Sequence, residues 1–223
     1  MDVDTNTVRL LGAAQLLVFM SAVLSERLPA SVVGSNGISD MLVNISKHVT
    51  RMRISNLLAL VESLATVVLA VLFFIVFNKQ FEIIALMALG FFFLEAMTQA
   101  IRMIGGYALI PLSKEFVDAG VPEHTYHQTL GDFLHFGIVR QGYHIHNLFF
   151  CSGAILWYYL FLKSEYIPQA LSVWGLVAVS LLLVPVLLQL NNRRFTHPIM
   201  AVGLLYVPFE LVLGLWLIIK GFN

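Results

Sequence analysis

Residues 83–104 form an apolar run in which Glu95, Gln99 and Arg102 place a carboxylate, an amide and a guanidinium. No other feature constrains the fold as much. A helix turns about 100° per residue, so these three positions, spaced i, i+4 and i+7, share one face. A charged side chain at membrane depth costs about 2.5–3.5 kcal/mol even on the gentlest scale, so that face has to turn inward, toward a partner or a wet cavity. The chain must therefore supply other helices to surround it.

Composition supplies the material for them. Of 223 residues, 59% are hydrophobic and 12% charged, with a mean hydropathy of +0.85, far from the roughly 25% charged content of soluble chains. This is the composition of an integral membrane protein. The formal net charge is zero and nothing in it suggests a nucleic-acid partner. The single cysteine, Cys151, excludes an internal disulfide. MDVDTNTVR carries two acids before its first base and no small-residue cleavage site follows, so the first apolar segment is expected to be retained.

The expected architecture is all-α: a polytopic transmembrane helix bundle of about six spans, at about 10–26, 54–77, 83–104, 143–162, 171–190 and 198–219, within one membrane domain, 1–223. Pro29 and the SVVGSNGISD that follows it read as the exit of the first span into loop. Residues 28–53 and 105–142 are long connections on one face. Ser113 to Ala119 reads as a short helix stopped by Gly120, and Pro122 as the opening of an interfacial amphipathic helix, between spans three and four, that reaches about His135. The long-connection face carries Arg27, Lys47, Arg51, Arg53, Lys114, Arg140, Arg193 and Arg194, against Arg9, Lys79, Lys163 and Lys220 opposite. By the positive-inside rule the long connections are cytoplasmic and both termini extracytoplasmic.

Depth places candidate site residues together. If span two leaves the long-connection face near Arg53 and span three returns to it near Ile104, a rise of 1.5 Å per residue puts Glu62 and Glu95 both about 13 Å below that face. Two carboxylates at matched depth admit a functional reading, as a shared proton, an acid/base pair or part of a metal site. They equally admit a structural one, each satisfied by a neighbouring polar side chain. On span four, Arg140, His144, Asn147 and Cys151 fall at i, i+4, i+7 and i+11, with His146 on another side. Glu210 shares a face of span six with Gly203, Tyr206 and Gly214. The candidate polar pocket is therefore Glu62, Glu95, Gln99, Arg102, His144, Asn147 and Glu210. No metal site is assigned; His144, His146, His124 and His127 are its weak candidates, with a hydrogen-bonded or solvated role the cheaper account of each. His124, His127 and His135 are expected at the water interface with partly exposed rings. No Walker loop, dinucleotide fingerprint, G-x-S-x-G or C-x-x-C is present.

Several stretches carry a resemblance: Asn44-Ile45-Ser46 with Arg51, ALMALGFFFLEA, GYHIHNLFF with the KSEYIP turn, and above all the ending PFELVLGLWLIIKGF. On these the chain resembles the bacterial and archaeal membrane proteins grouped as domain of unknown function 4386, over nearly its whole length. Many relatives carry an arginine where this chain reads Phe91-Phe92-Phe93. The resemblance implies the fold and the cytoplasmic membrane of a bacterium or archaeon; it implies no activity.

Three readings of function stand at this point. One is a polar pocket, open toward the long-connection face, that binds a small or lipid-like ligand. A second keeps the same residues for chemistry or transport: a membrane-embedded enzyme, acid/base or metal- or haem-dependent, with His144 as partner and Arg102 holding an anion, or a proton-coupled transporter. The third is an accessory protein whose polar residues are all paired inside the bundle, leaving no cavity. Beyond the lipid bilayer, the sequence names no cofactor and no oligomeric state.

Overall fold

The computed structural model describes residues 4–33, 37–121, 126–191 and 197–222, and among them there is no strand. The chain is all-α. Its elements are α1 (Thr5–Val33), α2 (Ile38–Lys47), α3 (Val49–Asp118), α4 (Tyr126–Asp132), α5 (Gln141–Ser164), α6 (Gln169–Asn191) and α7 (His197–Ile219), with a π-helical segment, Phe133–Arg140, joining α4 to α5. By length and composition, four helices are apolar and long enough to cross a membrane: Thr5–Ala30, Val49–Asp118, Tyr126–Ser164 and Gln169–Leu190; Gly203–Ile219 is a shorter apolar helix.

Helix α3 is two arms. Phe81 leaves helical geometry at φ −141° and ψ 46°. Across that point Ser63 Oγ donates to the Ala96 carbonyl at 2.7 Å and Gln99 Nε2 to Glu62 Oε2 at 2.7 Å. Both contacts pair residues equidistant from about residue 80, so the arms lie antiparallel, side by side. NKQFE, the expected connection, is where the reversal occurs.

Helix α3 packs against both α1 and α5, its first arm meeting α5 through Phe73 and Phe77 and its second meeting α1 through Arg102, and α7 lies against α1 and α6. The approach of α1 to α7 is dictated by glycine, for a Cβ at Gly12 would lie 2.8 Å from the Gly214 carbonyl oxygen. Only backbones without side chains come that close. One turn from the crossing on each helix stand Gln15 and Glu210, which the contact therefore brings together.

Two apolar cores result. The larger is built around Phe73, Phe77, Trp157 and Phe161, all essentially inaccessible to solvent. The smaller joins Met41, Leu42 and Ile45 of α2 to Leu109, Leu112 and Phe116 of the α3 end and Leu134. The buried polar residues Glu62, Gln99 and Arg102 belong to neither core.

Four expectations about the connections are corrected. Helix α1 does not leave at Pro29 but continues to Val33. Proline cannot donate to the carbonyl four residues back, which is that of Ser25, and Ser55 of α3 supplies the missing donor through its hydroxyl at 2.7 Å. The stretch 28–53 is not open loop, since it contains α2, whose buried side seals the smaller core. Ser113 to Ala119 is no separate helix but the end of α3, running to Asp118 before Gly120 turns the chain at φ +80°. Nor does the helix reaching His135 end there. Residues 133–140 adopt π geometry and run without a break into α5, so that Tyr126–Ser164 is one continuous helix. They press on α3 so closely that a Cβ at Gly105 would meet Ile138 at 2.9 Å.

Candidate functional site

Between the cores, polar side chains form one connected chain. Arg102 Nη2 pairs with Glu26 Oε1 of α1, and Arg102 Nε donates to Gln99 Oε1. Gln99 Nε2 in turn donates to Glu62 Oε2, which also accepts from Ser25 Oγ at 3.4 Å. Glu62 Oε1 lies 3.7 Å from His146 Nε2, and His146 Nδ1 lies 3.4 Å from the Glu95 backbone carbonyl. The Arg102 guanidinium stands over the Tyr143 ring, 5.0 Å from its centroid. The Glu26 side chain is 45% exposed, whereas Glu62 is 5% exposed, so the chain leads from the surface to the interior.

A second polar group is anchored on α7. Glu210 Oε1 accepts from Gln15 Nε2 at 3.2 Å and from the Tyr206 hydroxyl at 3.0 Å. Tyr206 in turn shares a 2.7 Å hydrogen bond with Tyr158.

A cavity of about 290 Å³ joins the two groups. Glu62 and Glu95 from the two arms of α3, Tyr143, His146, Asn147 and Phe150 from α5, and Tyr206 and Glu210 from α7 line it, with Glu26 and Arg27 at the α1 side. Glu95 is 2% exposed, and its Oε2 has no hydrogen-bond partner. A small void of about 10 Å³ is lined by both Glu95 and Glu210. A second cavity of about 260 Å³ lies toward the smaller core, lined by Ser55, Asn56, Arg102 and His135 among others, and it shares Glu26 with the first. The Glu26 to Arg102 pair thus stands where the two cavities meet.

Of the residues singled out from sequence, Glu62, Glu95, Asn147 and Glu210 line the main cavity, while Gln99 and Arg102 stand behind Glu62 and brace it. His144 is buried but lines neither cavity, and its Nδ1 has no partner. His146 occupies the site instead. Positions 143, 146, 147 and 150 fall within about 100° of one another on a helix, whereas 144 and 151 lie about 90–110° around from the centre of that set; Asn147 sits at the edge of both faces. His127 is buried beside Phe116 and Tyr126 rather than partly exposed at a water interface, and His135 is half-buried. His124, Pro122, Arg193 and Arg194 lie outside the described residues, among which no group of three or more His, Cys, Asp or Glu is placed to hold a metal ion.

Sequence reasoning missed Gln15, Ser25, Glu26 and Tyr143. The signal for α1 was present, because Gln15, Ala22 and Glu26 at i, i+7 and i+11 lie on one face.

The family model described as "Domain of unknown function (DUF4386)" matches residues 10–221, and the chain belongs to that family. The match bears out the resemblance carried by its sequence. No curated protein matches the chain, and no solved structure does.

Proposed function

We propose that this member of the domain of unknown function 4386 family is a six-span membrane protein whose interior cavity binds a small ligand. Six crossings are supported by counting the arms of α3 separately: each exceeds the roughly 20 residues that span a bilayer, and α1, α5, α6 and α7 supply the others. Lining residues on five separate helices then lie at membrane depth within one domain, and the basic residues orient the Glu26 end toward the cytoplasm of a bacterial or archaeal cell.

One observation carries the binding reading: a cavity of about 290 Å³ with Glu95 buried in its wall and Oε2 unpartnered. An accessory protein that only packs against a partner has no use for an unpaired buried carboxylate in the wall of a cavity, because such an acceptor is costly. Labelling tests it. In a Cys151→Ser background, Ala22→Cys and Phe150→Cys should each react with a small water-soluble methanethiosulfonate, whereas native Cys151, fully buried, should not. Inertness of both introduced thiols would refute a cavity that small molecules enter.

The chain from Glu26 through Arg102, Gln99 and Glu62 to His146 favours one alternative, proton-coupled transport through the same groups. Proton flux in reconstituted vesicles, abolished by Gln99→Leu, is its signature.

A further inference from the structure

We infer that the cavity takes an organic cation, a protonated amine or quaternary ammonium of about ten non-hydrogen atoms, with Glu95 as its counter-ion. The inference rests on the ligand-binding reading above and deepens it.

Charge is the first argument. Apart from Glu26, which is paired with Arg102, the wall presents Glu62, Glu95 and Glu210, against Arg27 alone. The nearest other guanidinium, Arg102, is already engaged by Glu26 and Gln99. The cavity is therefore acidic, and a low-dielectric acidic enclosure favours a cationic occupant.

Hydrogen-bond accounting narrows this to one carboxylate. Glu62 accepts from Gln99 and Ser25, and Glu210 from Gln15 and Tyr206. Glu95 Oε2, in the same wall, accepts from nothing, although its residue is 98% removed from solvent. A buried carboxylate that no protein donor satisfies gains from a ligand N–H, or the positive face of an ammonium group, brought against its cavity side.

Aromatic rings supply the rest of the surround. Phe19, Tyr143, Phe150 and Tyr206 line the cavity, and cations are drawn to such faces. Tyr143 already has the Arg102 guanidinium over its ring. Size follows from volume: about 290 Å³ corresponds to about ten volumes of about 30 Å³, the share of one liquid water.

The experiment uses three probes of matched size and shape on the purified full chain: benzylammonium, benzyl alcohol and benzoate. Calorimetric titration should show benzylammonium binding at least about tenfold more tightly than benzyl alcohol, which is about 1.4 kcal/mol, with benzoate weakest. Glu95→Gln should remove the preference, so that benzylammonium and benzyl alcohol bind the variant about equally; Glu95→Asp, which keeps the charge, should retain it. Ala22→Phe, which fills the cavity from α1, should weaken every binder. Equal affinities, a preference for benzoate, or a cation preference that survives Glu95→Gln would overturn the cation inference while leaving the cavity as a binding site. Binding of none of the three, or binding indifferent to Ala22→Phe, would overturn the ligand-binding reading itself.

Discussion

Glu62 and Glu95 come from antiparallel arms of one helix and line one cavity, yet replacing each with leucine should move stability in opposite directions. Glu62 holds the Gln99 amide and the Ser25 hydroxyl. Glu62→Leu strands the Gln99 amide in a buried setting, while the Ser25 hydroxyl keeps the Ala22 carbonyl at 2.9 Å, so a loss of about 1–3 kcal/mol is expected. Glu95 holds nothing through Oε2. Glu95→Leu removes an unpaired buried acceptor, worth about 1–3 kcal/mol as a neutral acid and about 2.5–3.5 kcal/mol as a charge at membrane depth. Leucine is similar in length to glutamate, and the cavity and small void beside Glu95 leave room for its branch, which limits the overpacking that offsets such gains. A net gain of about 1–3 kcal/mol should result, read as a shift in the free energy of unfolding by sodium dodecyl sulfate in mixed micelles, with Glu95→Gln between wild type and Glu95→Leu. A stability gain accompanied by loss of ligand binding would mark Glu95 as a residue retained for function at the expense of stability. If Glu95→Leu destabilises the protein as much as Glu62→Leu does, Glu95 has structural partners and the reasoning fails.

Three further outcomes follow from the same contacts. Ser55→Ala should cost about 1–3 kcal/mol by orphaning the Ser25 carbonyl, but less than about 0.5 kcal/mol in a Pro29→Ala background, where the backbone regains its own donor; additive costs in this double-mutant cycle would remove Ser55 from that role. Gly214→Leu should force α1 off α7 and lower stability by about 1–3 kcal/mol or more, with loss of the Gln15 to Glu210 bond visible as weaker probe binding; an unchanged thermal midpoint would contradict the glycine crossing. A reporter fused after Asn223 should be extracytoplasmic, and a cytoplasmic reporter would invert the orientation while leaving the bundle intact.

Much of this site was legible because membrane burial makes polar residues conspicuous. In α3, the spacing of Glu95, Gln99 and Arg102 and the depth shared by Glu62 and Glu95 required only helix geometry. Both arms were found, and their reversal falls in the five residues that separate them. What the sequence withheld depends on contacts between distant residues. Pro29 is a local stop signal, and it is overridden by a hydroxyl 26 positions further along the chain. Because the first helix was expected to end there, Ser25 and Glu26 read as boundary residues, although they complete the chain from Arg102 to Glu62. On α5 the face containing His144 was correctly spaced but not the one turned inward; the orientation is set by Gly142, whose missing side chain lets Arg102 approach to within 2.7 Å of where a Cβ would stand. That close approach seats Tyr143 beneath the guanidinium and turns His146 toward Glu62. The polar face of a membrane helix is thus fixed by periodicity, but which of two candidate faces meets the site is decided by the smallest residue at the crossing. At Gly142, as at Gly12 and Gly214, a glycine within one turn of a polar residue in an apolar helix is a sign of site geometry that single-helix periodicity does not register.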